Sequence, residues 1–221
     1  MNKVMTAVEA VKMIKDDDVL LVGGFLTAGS PETLIKALLE KGTAKNLTVV
    51  SNDTGMADTN MIKLMQQHGR VVKVHASYIG GNPLTGQMLI DDPDSVTLHP
   101  QGTLAEKIRC GGSVIAGFYS PVGVGTVVEE GKEKRVFDGR EYLLETAMHG
   151  NVAIVKATVA DKSGNLFMRG STKNFNALMA RAADYVIAEA RKIVEVGELD
   201  AELVTVPAIC INAIVQSEDI L

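Results

Sequence analysis

Short apolar runs at residues 19–22, 47–50, 71–75 and 96–98 are interleaved with helix-forming stretches at 31–42, 60–67 and 103–112. Neighbouring parallel strands cannot be joined by a tight turn, so this strand-then-helix rhythm predicts an α/β fold, an open and mostly parallel sheet with helices on both faces. Local signals support the helices. Ser30 can cap the first of them, Pro31 can start it and Gly42 can end it. Leu34, Leu38 and Lys41 lie along one side of it, with Ile35 and Leu39 beside them, leaving an apolar face for a sheet. Gly69 stops the helix at 60–67; Thr103-Leu104-Ala105-Glu106 has the form of a capping box, and Gly111-Gly112 offers a C-terminal stop.

The second half departs from that rhythm. Residues 127–128, 135–137 and 142–144 read as strands around the turn Asp138-Gly139, and Ser163-Gly164 makes another reversal before Leu166-Phe167, so an antiparallel β insertion is expected. Helix returns near 176–183 and strand at 185–188; in the apolar stretch 204–215, Pro207 argues against a central strand. No repeat, linker or low-complexity tract divides the chain, and 221 residues at 46% hydrophobic can fill one core, so residues 1–221 are read as a single domain.

The glycine-rich stretch Val22-Gly23-Gly24-Phe25-Leu26-Thr27-Ala28-Gly29-Ser30-Pro31 follows the first strand at the edge where open α/β sheets bind ligands. Its glycines and the helix start behind it suit a pyrophosphate, but they suit an ordinary β-α turn equally, because neither G-x-G-x-x-G nor G-K-[ST] is present. Ser51-Asn52-Asp53-Thr54-Gly55 and His99-Pro100-Gln101-Gly102-Thr103 follow the second and fourth strands and should converge with it. The amides of Gln101 and Asn52 can hold an oxyanion or a carboxylate, though both can equally be turn or cap residues.

Groups for covalent chemistry are scarce. His68, His75, His99 and His149 show no metal-ligand spacing, Cys110 and Cys210 stand alone as packing residues, and no G-x-S-x-G, H-E-x-x-H or P-loop occurs. No metal site is expected. A net charge of −5 with 4% aromatics argues against nucleic acid as a partner, and without a signal-peptide core or an 18-residue apolar run the chain reads as cytoplasmic, with no membrane role.

Asp16 to Pro31, "DDDVLLVGGFLTAGSP", resembles the signature of the α subunits of class I coenzyme A transferases. "SNDTG" at 51–55, "PQGTLAEKIRCGG" at 100–112, "GVGTVVEEGK" at 123–132, "YLLE" at 142–145, "DKSGNLF" at 161–167 and "TKNFN" at 172–176 resemble that family in the same order. Asp17 and Val122 depart from it, where Gly or Asn and Thr are usual. The resemblance implies ping-pong transfer of coenzyme A between short carboxylic acids such as acetate, butyrate, acetoacetate or succinate, through a glutamyl-CoA thioester. In the family that glutamate lies on a β subunit, which accounts for the missing nucleophile and implies an assembly of two α and two β chains. By resemblance, Gln101 and Asn52 orient the reacting oxygens, Gly23, Gly24, Phe25, Leu26, Thr27, Ala28 and Gly29 form the coenzyme A stretch, and coenzyme A is a substrate, with no permanently bound cofactor. Lys173-Asn174-Phe175-Asn176 is read as structural support. The alternatives are a free-standing sugar-phosphate isomerase-like enzyme carrying its own acidic base, and a non-catalytic CoA- or nucleotide-binding module.

Overall fold

The computed structural model describes residues 2–56, 58–67 and 69–218. The main sheet is built from β1 (Val19–Val22), β2 (Leu47–Ser51), β3 (Val71–Ala76), β4 (Val96–Leu98), β8 (Gly150–Asp161), β10 (Ala183–Val194) and β11 (Ala213–Gln216), in the order β11-β10-β8-β1-β2-β3-β4, all parallel. The short β9 (Leu166–Phe167) returns antiparallel on β8 after a reversal at Gly164, whose φ of 108° suits glycine. From β1 the chain winds outward through β2, β3 and β4, then crosses back and winds the other way through β8, β10 and β11. Strand order therefore reverses between β1 and β8, which makes the carboxyl end of β1 a topological switch point.

Helices α1 (Ala7–Val11), α2 (Glu32–Lys41), α3 (Asn60–Gln66), α4 (Pro83–Asp91), α5 (Gln101–Gly112) and α6 (Asn174–Met179) cover the sheet. Side chains alternate across a strand, so each buried strand feeds two cores. Leu20, Val22, Val49, Val152 and Ile154 pack in one cluster with Leu34, Ile35 and Leu38 of α2 and Leu64 of α3. Leu21, Val50, Ala153 and Val155 face the other cluster, with Leu104 and Ile108 of α5 and Phe175 and Met179 of α6. Both faces of the expected sheet are thus covered, and the apolar face expected on α2 is buried while Lys41 is exposed.

The expected antiparallel insertion is a three-stranded sheet in the order β5-β7-β6, with β5 (Gly117–Ser120), β6 (Lys134–Phe137) and β7 (Arg140–Thr146). Asp138 and Gly139 turn between β6 and β7 with φ of 49° and 77°, the left-handed pair of a tight hairpin.

Several local expectations are corrected. Residues 127–128 are not a strand but part of the 3₁₀ turn Val127–Glu129, where Thr126 Oγ1 accepts from Val128 N. Ser30 does not cap α2; Pro31 holds that position, and Ser30 Oγ donates to Glu32 Oε1 at 2.7 Å, a carboxylate being the better acceptor. The capping box at 103–106 does not form, because Pro100 starts α5 with Gln101 as its first residue. Thr103 Oγ1 is left buried without a protein partner, and Glu106 pairs with Arg109 instead. The C-terminal stop is as expected: Gly111-Gly112 are the last two residues of α5, with Ser113 as the C-cap. Gly111 is needed for close approach, since a Cβ there would overlap the Met148 carbonyl. The helix expected at 176–183 starts two residues earlier and stops at Met179, and the strand expected at 185–188 lies in the first half of the twelve-residue β10. As expected, Pro207 lies in no central strand: it precedes the 3₁₀ turn Ala208–Cys210, Val206 makes an isolated bridge to Leu166, and residues 213–215 belong to the edge strand β11.

Candidate active site

At the switch point the loop after β1 is tied down on every side. Phe25 and Ala28 exchange both backbone hydrogen bonds at 3.0 Å, closing a tight reversal in which Leu26 has φ 52°. Gly23 N donates to Ile154 O, and Leu26 N donates to Asp53 Oδ2 at 2.7 Å. Four of the loop's amides are consumed in this way; those of Gly24, Thr27 and Gly29 make no hydrogen bond within the described residues.

Asn176 clamps the back of the loop. It is fully buried; its Oδ1 accepts from Lys156 N at 2.8 Å, and its Nδ2 donates to Gly29 O at 3.0 Å and Thr172 O at 2.9 Å. Asn174 Nδ2 holds Ala28 O at 2.9 Å. The segment read from sequence as support does that work. Beneath it, Lys156 on β8 and Glu189 on β10 form a buried ion pair with Ser217, and Glu189 Oε2 accepts from Leu34 N in the first turn of α2. A carboxylate there satisfies a helix-start amide and complements the helix dipole.

The two amide-bearing loops converge as expected. Gln101 Nε2 donates to Asn52 Oδ1 at 2.9 Å, and Asn52 Nδ2 donates to Asp53 Oδ2 at 2.9 Å. Asp53 Oδ1 also accepts from Gly55 N, so this 7% exposed carboxylate spends its oxygens on the loops around it. Asn52 O accepts from both Ser77 N and Tyr78 N, which straps the end of β3 to the end of β2. Phe25, Leu26, Asn52, Met56, Ser77, Tyr78 and Gln101 enclose a cleft of about 430 Å³. Sequence reasoning does not single out the wall residues Met56, Ser77 and Tyr78; Tyr78-Ile79-Gly80-Gly81 after the third strand is the signal that could have found them.

Behind Gln101, His75 Nδ1 and His99 Nε2 share a hydrogen bond of 3.0 Å. Burial first, then the His75 ring and the Lys107 ammonium, press the His99 imidazole down to about 4, and burial with Lys73 and Lys107 lowers His75. Both rings are therefore held neutral in the fold. The unfolded chain then binds more protons between pH 6.5 and about 4, so this contribution to stability is complete above pH 6.5 and is lost as the pH falls toward 4. With partial exposure discounted, it amounts to about 1–3 kcal/mol. Urea midpoints of the wild-type chain should fall across that window, and those of His99→Asn should fall less; parallel curves would show that the pair is not the source.

Of the remaining single groups, His149 Nε2 lies 3.0 Å from Asp184 Oδ1, and Cys110 and Cys210 are free thiols, the first buried. His68 lies outside the described residues. Among the described residues there is no cluster of three metal-binding side chains, and no helix is long and apolar enough to cross a membrane.

A doubly wound sheet with an amide-lined cleft at its switch point defines an α/β protein with a ligand-sized cleft, whose lining among the described residues carries no carboxylate, thiol or imidazole. The chain belongs to the coenzyme A transferase family, whose model matches residues 4–217, and it is accordingly a transferase subunit. It is 44% identical to the alpha subunit of the acetate CoA-transferase of Escherichia coli K12, covering 99% of this chain and 98% of that one. It is 45% identical to the corresponding subunit of the probable succinyl-CoA:3-ketoacid coenzyme A transferase of Bacillus subtilis 168, covering 97% and 90%. The crystal structure of the acyl-CoA transferase YdiF apoenzyme from Escherichia coli O157:H7 superposes on all of this chain with a TM-score of 0.90 at 25% identity. This chain spans about half of that one, 48% of its length.

Proposed function

We propose that this chain is the α subunit of a cytoplasmic transferase that moves coenzyme A between short-chain carboxylic acids, and that it acts, as one domain, only with a β subunit, two of each forming the enzyme. The observation that carries this reading is the cleft wall: the Gln101–Asn52 amide pair faces a space whose lining residues carry no carboxylate to form the covalent intermediate. A glutamate carboxylate from the β subunit would attack the acyl-CoA carbonyl, expelling the CoA thiolate and leaving an acyl-glutamyl anhydride. The thiolate then attacks the glutamyl carbonyl, releasing the first acid and forming the glutamyl-CoA thioester, and a second acid reverses both steps.

Gln101 and Asn52 serve this chemistry as orienting groups. One N–H of Gln101 is committed to Asn52 Oδ1, which fixes the amide plane and leaves the second N–H as a preorganised donor to a carboxylate or carbonyl oxygen. Asn52 is held in turn by Asp53, so the pair needs no reorganisation when charge develops. The stretch Gly23, Gly24, Phe25, Leu26, Thr27, Ala28 and Gly29 would border coenzyme A, with the amides of Gly24, Thr27 and Gly29 as its remaining donors. A second independent base within this chain, as the isomerase-like alternative needs, has no counterpart among the residues lining the cleft.

Co-expression with the protein encoded by the adjacent reading frame, followed by an acyl-CoA exchange assay, tests the proposal. Exchange by the assembly and none by this chain alone is the expected result; full exchange by the chain alone, or no complex, overturns it. In the assembled enzyme, Gln101→Ala should lower kcat by roughly ten- to hundredfold, about 1.5–3 kcal/mol of lost transition-state stabilisation, with assembly preserved. An unchanged kcat would remove Gln101 from the reacting centre.

A further inference from the structure

The cleft beside Gln101 carries information about the acid it accepts, and this inference rests on the transferase reading above. Its three large side chains, Phe25, Met56 and Tyr78, are 40%, 39% and 51% exposed, although each belongs to a segment whose backbone is held in place. Phe25 sits in the reversal anchored by Leu26 N on Asp53. Tyr78 is fixed by its own N–H on Asn52 O. Met56 follows Gly55, whose N–H binds Asp53 Oδ1. All three walls are thus hydrogen-bonded to the Asn52-Asp53 segment, the same segment that orients the Gln101 amide. A reacting carboxyl on Gln101 and the tail attached to it would meet these surfaces at fixed positions.

No charged side chain lines this space. The nearest acidic side chain in the segment is that of buried Asp53, which lies behind the wall and, among the described residues, accepts from neutral N–H donors. A second carboxylate on the substrate would lose water against apolar surface and approach that acidic side chain, without a cation to receive it. An alkyl tail, or one bearing an uncharged oxo group, meets neither cost.

We propose that Phe25, Met56 and Tyr78 are specificity-determining residues that form the acyl-tail wall, selecting short monocarboxylic acids and rejecting dicarboxylic acids such as succinate. Tyr78 and Met56 set the length of tail accepted; the amides set the position of the carboxyl.

The test uses the assembled enzyme and a panel of acetate, butyrate, hexanoate and succinate as CoA acceptors. Butyrate should exceed succinate in kcat/KM by at least about tenfold, the scale on which a pocket discriminates by fit and unpaired polarity. Met56→Ala should raise hexanoate relative to butyrate by about tenfold, and Met56→Arg should raise succinate relative to butyrate by a similar factor. Each change is read as a ratio of two acids on one preparation, so a general loss of folding or activity cancels. Succinate equal to or better than butyrate, or ratios unmoved by both Met56 variants, overturns the wall. Absence of exchange with every acid in the wild-type assembly would instead overturn the transferase reading itself.

Discussion

Alanine at Gly23 should cost the chain about 3–5 kcal/mol, a large share of the stability of a domain this size. The reason is packing rather than backbone conformation, because Gly23, unlike Gly24 with its φ of 117°, has no left-handed φ. The added Cβ would overlap Asn176 Oδ1, the atom that accepts from Lys156 N. Moving the Asn176 amide away would break that bond and the two that Nδ2 makes to Gly29 O and Thr172 O. Each buried polar group left unpaired costs about 1–3 kcal/mol, so partial relaxation leads to the range given. The double-mutant cycle separates this mechanism from a general intolerance of substitution. Asn176→Ala alone should cost about 2–4 kcal/mol, and adding Gly23→Ala to it should cost far less than on its own, because the obstructing amide is gone. Urea unfolding of the four proteins reads the coupling; strictly additive losses would mean that Gly23 and Asn176 do not share the contact.

The parts of this architecture legible in the sequence are those written locally. β1, β2, β3 and β4 are short apolar runs between turn residues, and the loops that follow them place Asn52 and Gln101 at one edge whatever the details of packing. Less legible were the two twelve-residue strands of the second half. In β8, Lys156 interrupts Ala153-Ile154-Val155 and Ala157-Thr158-Val159; in β10, Glu189 interrupts Ile187-Ala188 and Ala190. Each charge reads alone as a break or a solvent-facing position, and only their pairing across the sheet explains how both are buried. α4 was hidden for a different reason. Asn82 caps it and Pro83 begins it, but a single buried residue, Thr85, gives it almost no apolar stripe to detect. The misplaced start of α5 shows a third limit: Pro100 sets the entry, and a nearby T-x-x-E spacing cannot override it. Asn176 stood within a quoted motif, yet nothing in its residue type says that a strand, a turn and a glycine loop would all need one amide.

Glu145 offers the other large expected effect, because it joins the small sheet to the helix that carries Gln101. It lies on β7 with no exposed surface, and its two oxygens are taken by Lys107 of α5 at 3.1 Å and Lys132 at 2.5 Å. Met148 N also donates to Lys107 O, and Gly111 lets the chain after β7 press against α5, so the ion triad sits within a backbone contact rather than at a hinge. Glu145→Gln would leave the Lys107 ammonium, 8% exposed, without its counter-charge, at an expected cost of about 3–5 kcal/mol. Replacing Lys107 by methionine in that background should recover part of the loss, since the uncompensated charge is then absent. Burial alone would raise the Glu145 carboxyl above its ordinary 4.5; the hydrogen bonds and charges of Lys132 and Lys107 outweigh it, and the group is lowered. A lowered carboxyl stabilises the fold fully above about pH 4.5 and loses that contribution as the pH falls through the folded value. The wild-type chain and Glu145→Gln should therefore differ most near neutrality and converge in acid, measured by urea unfolding from pH 3 to 7. Because the Glu145 charge also raises the His99 imidazole, the comparison is made in a His99→Asn background, which takes that pair out of both proteins. A gap between the two proteins that stayed constant into acid would show that the lost stability comes from the shape of the side chain and not from its charge.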